Sequence, residues 1–243
     1  MISLCKNFDE FDFLPADAFS ARITALADTY GFVRDFALFW VQRIDAVPVA
    51  AVSKVDGNIT LCCTESTDYE ELGAFLNAVG YSSITSESGV LSALKIEAAK
   101  ESFIVRYSDK SADCEEVFDS FDLKEIYNLL CSCGFEMGDY SAFLADVCAR
   151  LNKGTAEYAV HSENGGLLAC AFKLFCGRKS VLLGAVATDE KSRGRGLASK
   201  LVTSLAASEK EKEVFLFCRN DSLLNFYSKI GFELHGRWAV AEK

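Results

Sequence analysis

Between Ala185 and Leu205 the sequence reads AVATDEKSRGRGLASKLVTSL. Lys191, Arg193, Arg195 and Lys200 crowd around Gly194 and Gly196, although the 243 residues carry a formal net charge of −10. An apolar run precedes the cluster, and Leu197, Leu201 and Leu205 recur after it at helical spacing. A strand that turns directly into a helix leaves the first N–H groups of that helix without partners. The positive end of the helix dipole adds to their pull on an anion. Gly194 and Gly196 would allow a tight turn and a close approach by a ligand, and Arg193 and Arg195 would add charge-assisted donors. A diphosphate suits such a cradle. A solvated Gly/Arg turn is the plainer alternative.

Two phosphate-binding patterns do not fit. G-x-x-x-x-G-K-[ST] does not occur in the chain. A dinucleotide fingerprint needs a third Gly or Ala, whereas GRGLAS ends in Ser199, and the strands upstream look antiparallel.

The elements around the loop are legible from period and punctuation. DLKEIYNLLCSC (122–133) and DYSAFLADVCARL (139–151) each place apolar residues on one helical face behind an Asp that can cap. TAEYAV, GLLACAFKLFC and SVLLGAVAT read as three strands joined by the turns HSENGG and GRK, an antiparallel meander. After the loop come an amphipathic helix from Leu197, the strand EVFLFC, the helix DSLLNFYSKI and the strand FELHGRWAV. The amino-terminal part repeats this order faintly: a helix in DAFSARITALADTY, strands in FALFWVQRI, VPVAAVSK and NITLCCT, a helix in DYEELGAFLNAVG and a strand in YSSIT. Its counterpart of the Arg/Gly loop, TESTDYEELGAF, is acidic and lacks the paired glycines, so no phosphate site is expected there. The join is expected within 98–120, where SDKSADCEEVFDS has the composition of a loop.

Composition narrows the function classes. Acidic side chains outnumber basic ones 35 to 25, with the excess concentrated in the first hundred residues, which disfavours a nucleic-acid partner. Half the residues are apolar and only 2 are proline, enough for a proper core. The chain does not open on a basic stretch followed by an apolar run. No apolar run approaches the ~20 residues needed to cross a bilayer, so a cytoplasmic protein without a membrane partner is expected. The 10 cysteines show no C-x-x-C spacing and histidines number 2, so reduced core thiols are expected rather than disulfides, and no metal.

Arg193-Gly194-Arg195-Gly196-Leu197-Ala198 resembles R-x-x-G-x-A, the acyl-CoA pyrophosphate loop of the GNAT superfamily of N-acetyltransferases. NDSLLNFYSKIGFE resembles that family's downstream pattern N-x-x-A-x-x-F-Y-x-K-x-G-F, with Leu223 in place of the usual small residue. The resemblance covers roughly residues 111–243. It implies a mixed α/β (α+β) GNAT-type acyl-CoA N-acyltransferase fold, with a central mixed, mostly antiparallel sheet flanked by helices. Residues 111–243 would form the acetyltransferase domain, and residues 1–110 a smaller, degenerate GNAT-like domain.

The same resemblance implies acetyl-CoA as cosubstrate and a primary amine of a small molecule or peptide as acceptor. Val186 and Thr188 would bond pantetheine through their backbones. The amides of Arg193, Gly194, Arg195, Gly196, Leu197, Ala198 and Ser199 would hold the diphosphate. Asn220 would meet the pantetheine arm, although it could equally cap a helix. A backbone N–H near Val186 would stabilise the oxyanion, and Tyr227 would serve the leaving thiolate. At reference values a thiol is the stronger acid, so Tyr227 would act mainly by hydrogen bonding. The usual strand carboxylate is missing from Val181–Thr188, leaving Glu157, His161 or water as candidates for the base. Cys170, Cys176 and Cys218 read as packing residues. A CoA-binding module that has lost turnover is the alternative.

Overall fold

A computed structural model describes residues 1–109 and 121–243. The first half runs β1 (Ile2–Leu4), α1 (Ala18–Tyr30), β2 (Ala37–Ile44), β3 (Val47–Val55), β4 (Asn58–Cys63), α2 (Tyr69–Val79), β5 (Ser83–Glu87), α3 (Ser88–Ala93) and β6 (Lys100–Tyr107). The second runs α4 (Leu123–Ser132), α5 (Tyr140–Asn152), β7 (Glu157–Glu163), β8 (Gly166–Cys176), β9 (Ser180–Thr188), α6 (Leu197–Ala207), β10 (Glu213–Cys218), α7 (Asp221–Ser228) and β11 (Phe232–Glu242). Asp17, Asp68, Asp122 and Asp139 cap α1, α2, α4 and α5, their carboxylates accepting from first-turn amides.

All eleven strands form one sheet in the order β1-β2-β3-β4-β5-β11-β6-β10-β9-β8-β7. Only β4–β5 and β9–β10 pair in parallel, so the sheet is mixed and mostly antiparallel. The halves exchange strands at its centre. β11, the end of the second half, lies between β5 and β6, and β6, from the first half, lies between β11 and β10. The sequence reading gave 100–107 no element and put the join somewhere within 98–120; 100–107 is a central strand, with Ser102, Ile104, Val105 and Tyr107 buried. KESFIVRY takes its stability from partners more than a hundred residues away, which a local pattern cannot show. The expected division at residue 110 lies outside the described residues.

The first half also buttresses the strand that leads into the Arg/Gly loop. Helix α1 packs on β8 and β9. Thr29 and Thr155 share a hydroxyl hydrogen bond of 2.6 Å, and the Tyr30 hydroxyl donates to Asp146 at 2.5 Å. At Gly177, in the β8–β9 turn, a Cβ would lie 2.5 Å from the Cα of Ala21, so only glycine admits this close approach. Along β9, Leu182 joins the core beneath α1, while Val181 and Leu183 join the one beneath α6. Burial on both faces explains the unbroken apolar run there.

Candidate active site

The site begins where two strands part. β9 and β10 pair from Ser180/Glu213 to Leu183/Leu216 and no further, although β9 runs on to Thr188. Against β8, Phe172 faces Gly184 and Cys170 faces Ala187, so β9 carries one extra residue in this interval. Ala185 sits in that bulge at φ 48, a strained setting for a residue with a Cβ. The bulge bends the end of β9, and Val186 has no opposite number in either neighbouring strand.

Beyond Thr188 a single 3-10 turn (Glu190–Ser192) leads to Arg193, Gly194 and Gly196, the glycines at φ 79 and 77. These left-handed conformations aim the chain straight into α6. Gly196 caps α6 without a side chain, and the first intrahelical bond runs from Lys200 N–H to the Gly196 carbonyl. Among the described residues, no protein group accepts from the amides of Leu197, Ala198 and Ser199. The first half differs at the equivalent place. There Asp68 caps α2, one carboxylate oxygen accepting from the amides of Glu70 and Glu71 at 3.0 Å each. One helix start supplies its own anion, whereas the other leaves its donors open.

The open donors face a cleft of about 560 Å³. Val186, Thr188, Arg193, Gly194, Gly196, Leu197, Ala198, Ser199 and Tyr227 all line it. Arg195 and Asn220 do not. The Arg195 guanidinium is bonded to the Glu163 carboxylate on β7, and Asn220 caps α7 by accepting from Leu223 N–H at 2.9 Å. Thr188 lines the cleft with its carbonyl already accepting from Arg193 Nε at 3.3 Å and Cys133 Sγ at 3.4 Å. Because Arg195 is held by Glu163, Arg195→Ala should weaken acetyl-CoA binding no more than about threefold, an exposed charge being largely screened. Isothermal titration calorimetry would check this, and a loss above tenfold would contradict it.

Tyr227 is 5% exposed, its ring between Phe226 (5.1 Å between centroids) and Phe232 (5.7 Å). Burial, reinforced by nearby Cys218, pushes its ionisation above the ordinary phenol range, so it meets the cleft as a neutral hydrogen-bond donor. Neither candidate base lines the cleft. Glu157 pairs with the buried Lys173 at 2.9 Å, and His161 pairs with Glu163 at 3.2 Å. Burial pushes the thiols of Cys170, Cys176 and Cys218 up to about 12, 11 and 11, as suits inert packing residues. The sequence reading missed Cys133 and Phe135, which the α4–α5 connection brings into the cleft. Nothing local marks them, since the packing of α4 on β8 and β9 puts them there.

Among the described residues, no group of three or more His, Cys, Asp or Glu side chains could hold a metal ion, and no helix is long and apolar enough to cross a membrane. Residues 154–234 match the family model described as an acetyltransferase (GNAT) domain. No curated protein matches the chain. Among solved structures, an acetyltransferase from the GNAT family of Colwellia psychrerythraea aligns over 100% of this chain and 99% of its own, at 14% identity and a TM-score of 0.55. A tandem GNAT protein from the clavulanic acid biosynthesis pathway aligns over 100% and 98%, at 13% identity and a TM-score of 0.57. A GCN5-related N-acetyltransferase from Kribbella flavida aligns over 92% and 95%, at 15% identity and a TM-score of 0.57. The fold is thus shared along the whole chain with these solved structures, and residues 154–234 are similar to the GNAT acetyltransferase domain.

Proposed function

We propose that the chain is an N-acetyltransferase that moves an acetyl group from acetyl-CoA to a primary amine of a small molecule or peptide. The observation that carries this reading is the uncapped start of α6 at the end of a splayed, bulged strand. The amides of Leu197, Ala198 and Ser199 would hold the diphosphate, with Arg193 beside them. Bound there, acetyl-CoA supplies an activated thioester. Val186 N–H is the donor suited to the charge developing on the thioester oxygen, a contribution commonly worth about 3–4 kcal/mol of barrier. As the neutral amine nitrogen bonds to the carbonyl carbon and the C–S bond breaks, the nitrogen would give up one proton, through water, to the departing thiolate, while Tyr227 would hydrogen-bond to that sulfur and keep its own proton. It stays a donor, because the buried phenol is a weaker acid than a thiol.

A second reading, a CoA-binding module without turnover, is favoured by one observation: Val181–Thr188 contains no carboxylate, and Glu157 and His161 lie outside the cleft. One experiment separates the two. Acetyl-CoA should bind saturably by calorimetry, and free CoA should be released in the presence of a panel of primary amines. Saturable binding with no release across the panel would favour the module, and no binding would overturn both.

A further inference from the structure

Arg195 stands between Gly194 and Gly196, both of which line the cofactor cleft, yet its own side chain is not part of the lining. The guanidinium is turned away onto the Glu163 carboxylate at the end of β7. Strand order brings the two together. β7 and β9 both run antiparallel to β8, so Glu163 and Thr188 finish at the same end of the sheet, where the loop leads into α6. Arg193, two residues before Arg195, takes the other course: it lines the cleft, with Nε on the Thr188 carbonyl.

The Arg195–Glu163 pair is open to exchange. Its side chains are 46% and 40% exposed, and an ion pair so close to water is a weak tether. Glu163 also has a second partner, since His161 Nε2 lies 3.2 Å from the same carboxylate oxygen that Arg195 holds. Release of Arg195 would therefore leave that oxygen bonded and in contact with solvent. Arg195 first and His161 second hold the Glu163 carboxyl below the usual carboxylate range, so it is an anion at neutral pH. To a guanidinium, a carboxylate and a diphosphate are rival partners, each taken by parallel N–H donors.

We infer, on the basis of the diphosphate site proposed above, that Glu163 is an internal competitor of coenzyme A, holding Arg195 off the diphosphate and lowering the affinity for the cofactor. Arg195 has the reach to change partners, because its backbone lies within the cradle and its side chain is long and exposed. Free CoA carries the same diphosphate as acetyl-CoA, so the competition applies to the product as well and speeds its release.

The test is calorimetric titration of CoA into the full chain and its variants. Glu163→Gln and Glu163→Ala should each tighten binding about three- to tenfold, with CoA dissociation by stopped flow slower by the same factor. In an Arg195→Ala background the same substitutions should change the affinity by no more than about 1.5-fold, because they act through the freed guanidinium. Glu163 and Arg195 are both exposed, so the variants should fold and melt within a few degrees of the wild type. A gain that persists without Arg195 would make Glu163 a general repulsive charge and overturn the inference, as would unchanged affinity in both single variants. Dephospho-CoA keeps the diphosphate and lacks the 3′-phosphate, so it should show the same gain. A gain confined to CoA would put Arg195 on the 3′-phosphate and overturn its assignment to the diphosphate. Wild type that binds CoA while both Glu163 variants match it overturns the competitor alone, whereas wild type that binds no CoA overturns the acetyltransferase reading with it.

Discussion

Gly196→Glu is expected to weaken acetyl-CoA binding at least a hundredfold, measured by calorimetry, while the chain still folds. Two effects combine. Gly196 sits at φ 77, where a side chain costs about 1–2 kcal/mol of backbone strain. No protein atom lies within 4 Å of the position its Cβ would take, so nothing in the fold collides with the new side chain. Its carboxylate would stand instead at the start of α6, among the amides proposed to hold the diphosphate. The variant would convert α6 into the arrangement the first half already has, where Asp68 takes the amides at the start of α2. Gly196→Ala separates the terms, because it keeps the strain and adds no charge. It should lose thermal stability like the glutamate variant but retain most of the affinity. Equal losses from both would attribute the effect to backbone strain, and normal binding by Gly196→Glu would place the diphosphate elsewhere.

The contrast between α2 and α6 also shows what the sequence could disclose. Helices and strands whose period and caps are local were legible. Asp122 and Asp139 start α4 and α5 as their positions suggest, and the meander and the strand–helix–strand unit around the loop lie where the apolar runs place them. The glycines of the loop are left-handed, which is why that turn tolerates no ordinary residue without strain. Long-range features were not legible. β6 is a strand because β10 and β11 flank it, and KESFIVRY contains nothing that names those partners. The pairing of the Arg195 guanidinium with Glu163, 32 residues earlier, is a contact that no local pattern shows. Asn220 fits two readings at once, and its bond from Leu223 N–H shows the helix cap, the local one of the two.

Tyr227→Phe should lower kcat about a hundredfold and change the affinity for acetyl-CoA by no more than a few-fold. The ring makes its aromatic contacts to Phe226 and Phe232 through carbon, and phenylalanine would preserve them, so only the hydroxyl is tested. Among the described residues that hydroxyl has no protein partner whose loss would unsettle the fold, and the melting temperature should hold within a few degrees. The pH dependence separates the possible roles. Burial pushes Tyr227 above the ordinary phenol value, so it remains protonated through neutral and mildly alkaline pH. If it acts as a donor to the leaving sulfur, kcat of the wild type should show no limb from Tyr227 below about pH 10. The variant should then be slower by the same factor across that range. A base would behave otherwise, giving a rate that rises with pH in the wild type and a rise that the phenylalanine variant loses. Unchanged kcat in the variant would remove Tyr227 from the chemistry and leave it a core aromatic, with the backbone amide of Val186 as the remaining donor of the proposal.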